Sequence, residues 1–158
     1  MPELTLRALR DETDYQDFNT AMAWAFLEDP QPDDIRLARA FTDLDRMFGF
    51  HDGTRWVSTA GDYRKNVVLP GGTRTDVAAV TGVSVASDHR RRGLLSRMMR
   101  HQLDTIRDRG TEAVAMLFAS ETTIYGRFGY GLASQNATLS GQVRDLGFRP
   151  DVDLGADR

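Results

Sequence analysis

The densest group of chemically capable side chains is His89-Arg90-Arg91-Arg92-Gly93, three consecutive cations running into a glycine. What such a group can do depends on its flanks. Residues 76–85 before it are a Val/Ala/Thr run that reads as a strand, and after it apolar residues return at helical spacing at Leu95, Met98, Met99, Leu103 and Ile106. The first turn of a helix has N–H groups without intrahelical partners and the positive end of the dipole. Strand, arginine turn, glycine and helix start together form an arrangement that binds an anion such as a pyrophosphate. Gly93 lets the backbone come close to a phosphate. An exposed ion pair contributes only about 0–1 kcal/mol, so the N–H groups are expected to set position and Arg90, Arg91 and Arg92 to add attraction. Taken alone, the same residues also read as a solvated basic helix start.

Other candidates are fewer. Cysteine is absent, which excludes disulfides, thiolate metal sites and a cysteine nucleophile. A three-histidine metal site would need every histidine in the chain (His51, His89 and His101), and no metal is expected. His51 in a turn and His101 on the arginine-bearing helix are expected to face solvent. His89 reads as a positioning or surface residue. Glu121 either caps a short helix or acts as a base. Phe26 reads first as core, and Trp24 equally as core or as the wall of an acceptor cleft. The acidic segment 28–34, which contains Asp29, could attract a polycationic amine, although Asp33 and Asp34 are equally explained as helix-start acidity.

These residues need a frame. Residues 3–9 alternate as a half-buried strand does. Asp11 can cap a helix with Tyr15, Phe18, Met22 and Phe26 in one stripe, ended by Pro30 and Pro32. A second helix is predicted from Asp33 with Leu37, Phe41, Leu44 and Phe48 as its stripe. Then come a turn at 51–54, a strand over 55–69, a turn at 70–72, the strand 76–85, and the helix from Gly93 to a stop at Gly110. A buried strand over 113–118, a short helix over 121–127 and a strand over 132–142 follow. The order β-α-α-β-β-β-α-β-α-β contains one strand–helix–strand crossover, hence a parallel pair in a mixed α/β sheet.

Length and composition are consistent with this. A chain of 158 residues is one domain, and 41% hydrophobic with 27% charged residues is ordinary for a globular protein. No run reaches the ~20 apolar residues of a membrane span, and the N-terminus does not read as a secretion signal. A cytoplasmic protein without membrane or nucleic-acid partners is expected, since the net charge is −3. Acidic residues dominate positions 1–79 and basic ones the rest, which suits a cationic ligand on one side and an anionic one on the other.

Arg90-x-x-Gly93 resembles the Gln/Arg-x-x-Gly-x-Gly/Ala pyrophosphate loop of the GNAT N-acetyltransferase superfamily, with Leu95 where Gly or Ala is usual. Tyr125-x-x-x-Gly129-Tyr130 resembles that superfamily's Tyr-x-x-x-Gly-Phe/Tyr signature. The segments 80–85 with 89–95, and 119–121 with 124–131, are similar to the enhanced-intracellular-survival (Eis) family, actinobacterial acetyltransferases that act on several amines of aminoglycosides and on some lysines. The resemblance implies a GNAT fold: a mixed, mostly antiparallel sheet with a central parallel strand pair and flanking helices. It implies an acetyl-CoA-dependent N-acetyltransferase with a small-molecule amine as acceptor. Val83 and Val85 would pair by main chain with the pantetheine arm. Arg90, Arg91, Arg92, Gly93 and Leu94 would hold the pyrophosphate, and Tyr125 would protonate the leaving thiolate. Trp24, Phe26 and Asp29 are the candidate acceptor contacts. The strand 76–85 offers only Asp76, at its far end, as a base; in the Eis family the chain's own C-terminal carboxylate, from a later domain, resembles the missing base. Eis-family chains are much longer. Residues 1–143 therefore read as the acetyl-CoA-binding domain and 144–158 as a polar linker or truncated end without the last strand. An open sheet edge follows, and self-association into a homo-oligomer is one remedy. A non-catalytic CoA-binding or assembly module is the alternative of a different class.

Overall fold

The N-terminal alternation becomes strand β1, Thr5–Ala8. In this computed structural model, residues 3–119 and 121–135 are described, with 137, 138, 140–142, 144, 147 and 151 beyond them. The expected linker 144–158 lies almost wholly outside the described residues. Asp11 caps α1 (Glu12–Ala25) by accepting the Asp14 N–H at 2.9 Å. Asp14 in turn takes Arg7 at 2.7 Å and Arg10 at 2.8 Å, which ties α1 to β1 and holds its carboxyl well below the usual carboxylate range.

The second helix, α2, is shorter than its apolar period suggests. It spans Pro32–Arg39 and buries no residue. Leu44 lies in a 3₁₀ turn and Phe48 in strand β2 (Met47–His51), so neither belongs to a helical stripe. Tertiary packing decides this. Phe48 and Phe50 face one side of the sheet, Met47 the other, and Gly49 leaves room for the Ser58 carbonyl, into which any Cβ would run. Strands β3 (Ser58–Val68) and β4 (Arg74–Val85) form the long central hairpin. Helix α3, Leu94–Arg109, ends on Gly110 at φ +66° as expected.

The sheet order is β1-β2-β3-β4-β5, antiparallel except for β4 with β5 (Val114–Met116), the parallel pair that ends the described sheet. One face packs on α1 through Tyr15, Phe18, Met47 and Trp56. The other packs on α3 through Leu94 and Met98 against Phe48, Phe50, Val57 and Ala60, with Ile106 on Ala78 and Val80. Burying one such large side chain stabilises by about 1.5–3 kcal/mol. The strand expected over 113–118 is shorter and not buried: Ala115 and Leu117 pack inward, while Val114 and Met116 are 51% and 37% exposed. Two 3₁₀ turns, Thr122–Ile124 and Gly126–Phe128, replace the short helix. Among the described residues of 131–142 there is no strand.

The C-terminal end of α3 is locked by buried charge. Arg46 donates to Asp62 and, at 2.7 Å, to Glu112. Arg109 donates to the same Asp62 oxygen at 2.9 Å, and Thr111 to Glu112 at 2.7 Å. Arg46, Asp62 and Glu112 are all buried.

Candidate functional site

Strand β4 meets β5 for three residue pairs only, Val77–Ala79 with Val114–Met116. Beyond Ala79 that side of β4 has no strand beside it among the described residues. On the other side β4 stays paired with β3 through Val85, and Ala86 gives its N–H to the Val57 carbonyl at 2.9 Å. Main-chain groups alternate between the two sides of a strand, so those of Val85 and Val83 turn toward the open side. Gly82, just before them, has φ +61°. Thr59 donates its hydroxyl to the Gly82 carbonyl at 2.6 Å and shares a 2.7 Å hydrogen bond with Ser84. A Cβ at Gly82 would press on the Met22 sulfur of α1. A glycine inside a β-branched run was the available sequence signal for this irregularity.

After β4 a single 3₁₀ turn, Ser87–His89, brings the chain to the arginines. His89 is buried, its N–H on the Ala86 carbonyl at 2.9 Å and its Nδ1 2.9 Å from Asp88. Of its two readings, positioning or surface residue, burial removes the second. Asp88 also takes Arg55 at 2.6 Å, and the His89 hydrogen bond, with the Arg55 charge, holds its carboxyl below the usual range. Arg91 (φ +63°) and Gly93 (φ +74°) are both left-handed. For a non-glycine residue that costs roughly 1–2 kcal/mol, and such strain is kept where a site requires the shape. Alternation of this kind curls successive N–H groups into an anion-binding concavity. The concavity leads straight into α3. Arg97 N–H bonds the Gly93 carbonyl at 3.1 Å, while the N–H groups of Leu94, Leu95 and Ser96 have no partner among the described residues. Arg90, Arg91 and Arg92 are exposed, and none is in an ion pair among the described residues. A Cβ at Gly93 would meet nothing within 4 Å, so the space above the helix start is open.

A cavity of about 620 Å³ lies beside this turn, between α1 and the end of β4. Of the expected residues it gathers Trp24, Val85 and Arg90, and it adds Asp17, Arg55 and Asp88, which sequence reasoning missed because they come from separate elements. Trp24, 64% exposed, is wall and not core. Phe26 is 47% exposed, a correction of its reading as core: α1 stops at Ala25, and Phe26 as its C-cap turns away from the Tyr15–Phe18 cluster. Phe26 and Asp29 line no cavity described for the chain. A second, enclosed space of about 30 Å³ sits under Gly82 and Thr81, lined also by Tyr15, Met22 and Tyr63.

Tyr125 closes the 3₁₀ turn Thr122–Ile124 and packs edge-on against Tyr130 at 5.8 Å. Burial pushes its phenol above the ordinary tyrosine value, and burial, then the neighbouring Tyr125 and Asp62, pushes Tyr130 up to about 12. Both rings therefore stay protonated at neutral pH. Tyr125 lines neither cavity. Glu121 is exposed and accepts the Thr123 hydroxyl at 2.8 Å instead of capping a helix. His101 is exposed as expected. His51, half-buried against Trp56, departs from its expected solvent position, and burial lowers its pKa. Among the described residues no group of three or more His, Asp or Glu side chains could hold a metal ion, and no helix is long and apolar enough to cross a membrane.

The frame is a mixed sheet that opens beside β4, with a turn of exposed arginines at its mouth. The Acetyltransferase (GNAT) domain family matches residues 5–133, and the chain belongs to that family. It is 50% identical over 102 residues to a Streptomyces avermitilis protein named as an uncharacterized N-acetyltransferase, covering 65% of this chain and 25% of that one. To the N-acetyltransferase Eis of Mycobacterium tuberculosis it is 42% identical over 89 residues, 56% of this chain and 22% of Eis. The crystal structure of Eis1 from Mycobacterium abscessus superposes with a TM-score of 0.72 at 34% identity, over 83% of this chain and 32% of that one. The chain thus spans about a quarter to a third of the length of these relatives. Acetyl-CoA, which the family implies, fits the residues present: the space above Gly93, and the first N–H groups of α3 and three arginines that have no partner among the described residues, suit a pyrophosphate.

Proposed function

We propose that this chain is the acetyl-CoA-binding region of an Eis-like N-acetyltransferase, which moves an acetyl group to a primary amine, on an aminoglycoside or a lysine side chain. The observation that carries this reading is the turn at 90–94. Its two left-handed residues lead into a helix whose first N–H groups have no partner among the described residues. Arg90, Arg91, Arg92, Gly93 and Leu94 hold the pyrophosphate, and the main chain of Val83 and Val85 pairs with the pantetheine arm. An arm running from that turn past Val85 and Val83 ends near Gly82. The bound co-substrate supplies an acyl group activated as a thioester. Tyr125 donates its proton toward the departing sulfur. Trp24 walls the acceptor cavity, with Phe26 and Asp29 on the linker beyond it. Residues 1–143 form the binding domain, in a cytoplasmic setting, with self-association through the open side of β5.

Calorimetric titration with acetyl-CoA, followed by assay of thiol release with aminoglycosides and polyamines, tests the reading. Binding with amine-dependent thiol release is the expected result. Binding without release supports a second reading, a non-catalytic CoA-binding module, which is favoured by Tyr125 lining neither cavity. No binding overturns both.

A further inference from the structure

We propose that Thr59 is the positioning residue that aims the Val83 N–H at the carbonyl of the bound acyl group. This rests on the acetyltransferase reading and deepens it. The register of the central hairpin jumps from Thr59↔Ser84 to Gly61↔Thr81, so Gly82 and Val83 of β4 lie opposite Ala60 alone. That is a bulge, and its first residue is a glycine at φ +61°. A bulge interrupts the ladder, so ladder hydrogen bonds no longer fix how its peptide groups are turned. Here side chains fix it. Thr59 is fully buried, and its hydroxyl donates to the Gly82 carbonyl at 2.6 Å. A hydroxyl has one proton, so the 2.7 Å bond between Thr59 and Ser84 has Ser84 as its donor. The relay runs from Ser84 to Thr59 to Gly82, and each bond polarises the next.

A trans peptide is planar, with its C=O and N–H pointing in opposite directions. Drawing the Gly82 carbonyl toward Thr59 on β3 therefore turns the Val83 N–H away from β3. It then faces the side of β4 that has no strand beside it beyond Ala79 among the described residues. On the α1 side the Met22 sulfur packs against Gly82, which leaves this peptide little room to turn over. The arm that runs past Val85 and Val83 brings its thioester to this N–H. A fixed donor there polarises the acyl carbonyl and stabilises the charge that develops on its oxygen as an amine adds. Thr59 lines neither cavity and acts only through the Gly82 peptide.

The test compares acetyl-CoA with CoA, which differ by the acyl group. Each is titrated calorimetrically into the 158-residue chain. The carbonyl band of bound acetyl-CoA, isotopically labelled at that carbon, is recorded by difference infrared spectroscopy. The wild type should bind acetyl-CoA about two- to tenfold more tightly than CoA, the range of one hydrogen bond. Thr59→Val keeps the shape and removes the hydroxyl. It should erase that preference and move the carbonyl band to higher wavenumber, with CoA affinity unchanged, and Thr59→Ser should restore both. A merely structural loss would weaken acetyl-CoA and CoA alike and would overturn the proposal. So would a preference and a band that Thr59→Val leaves in place. Where Thr59→Val does not fold, Ser84→Ala, which weakens the relay at its start, decides: both readouts should move the same way by a smaller amount, and an unmoved band overturns the proposal. If the wild type binds the two ligands equally, the proposal fails and the acetyltransferase reading stands. If it binds neither, that reading fails and this proposal with it.

Discussion

The two ends of α3 carry the same kind of residue and use it oppositely. At the N-terminal end three arginines stand in solvent, and neither they nor the first N–H groups of the helix have a partner among the described residues. At the C-terminal end Arg109 and Arg46 converge on Asp62 and Glu112, inside the protein. Exposed cations keep their hydration and remain available to an outside anion. Buried ones must find their counter-ions within the fold, because an isolated buried charge is prohibitively costly. The same arginine-rich composition therefore leaves exposed cations at one end and makes a clasp at the other. Burial and partners separate the two.

The sharpest break of this contrast is Arg46→Ala. It leaves Asp62 and Glu112 short of a cation and is expected to destabilise the chain by about 3–5 kcal/mol, read by urea denaturation. A loss below about 1 kcal/mol would mean that the clasp behaves like a surface pair. Tyr125→Phe probes a ring whose partner Tyr130 feels Asp62, yet whose proposed role is chemical. In an active form, kcat should fall roughly ten- to a thousandfold, the effect of a lost proton donor, with acetyl-CoA affinity and Tm little changed. An unchanged kcat removes Tyr125 from the chemistry.

Smaller effects sharpen the other end. Gly93→Val strains a left-handed position and fills the space above the helix start. Calorimetry should show acetyl-CoA affinity falling more than tenfold, beyond the ~1.4 kcal/mol that tenfold represents. Single Arg90→Ala, Arg91→Ala or Arg92→Ala changes should each cost about 0–1 kcal/mol. Equal losses for Arg90→Ala and Gly93→Val would shift the main burden of binding from backbone to side chains.

Acid separates the ends further. Burial favours the neutral form of Glu112, but the Thr111 hydroxyl and the Arg46 guanidinium outweigh it and lower its pKa. A lowered folded-state pKa means stability that is present above the unfolded value, near ~4.3, and lost as pH falls through the folded one. Unfolding free energy should decline below about pH 4, with a shallower decline in Glu112→Gln; His51, its pKa lowered by burial, adds a separate decline as pH falls through the unfolded histidine value of ~6.5. Among the described residues no carboxylate pairs with Arg90, Arg91 or Arg92, so Arg90→Ala should leave that profile unchanged.

Much of this molecule was legible in one dimension. The Asp11 cap, the α3 face ending on Gly110 and the strand–turn–helix at 76–94 depend on local steric and hydrogen-bonding rules that act within a few residues. The arginine turn before α3 was legible for the same reason, because its parts are contiguous. Phe48 was misread since an apolar residue at helical spacing can equally face one side of a strand, and only the register with β1 and β3 chose between them. Phe26 fits the core stripe of α1, but the helix ends before a partner surface reaches it. The cavity between α1 and the end of β4 was not legible, because Asp17, Arg55 and Asp88 meet only when three elements pack. The clasp likewise joins positions 46, 62, 109 and 112. What residues i to i+4 can satisfy among themselves was written in the sequence. Which charges are buried together, and which stay free for a ligand, the tertiary structure decided, because desolvation depends on everything packed around a group.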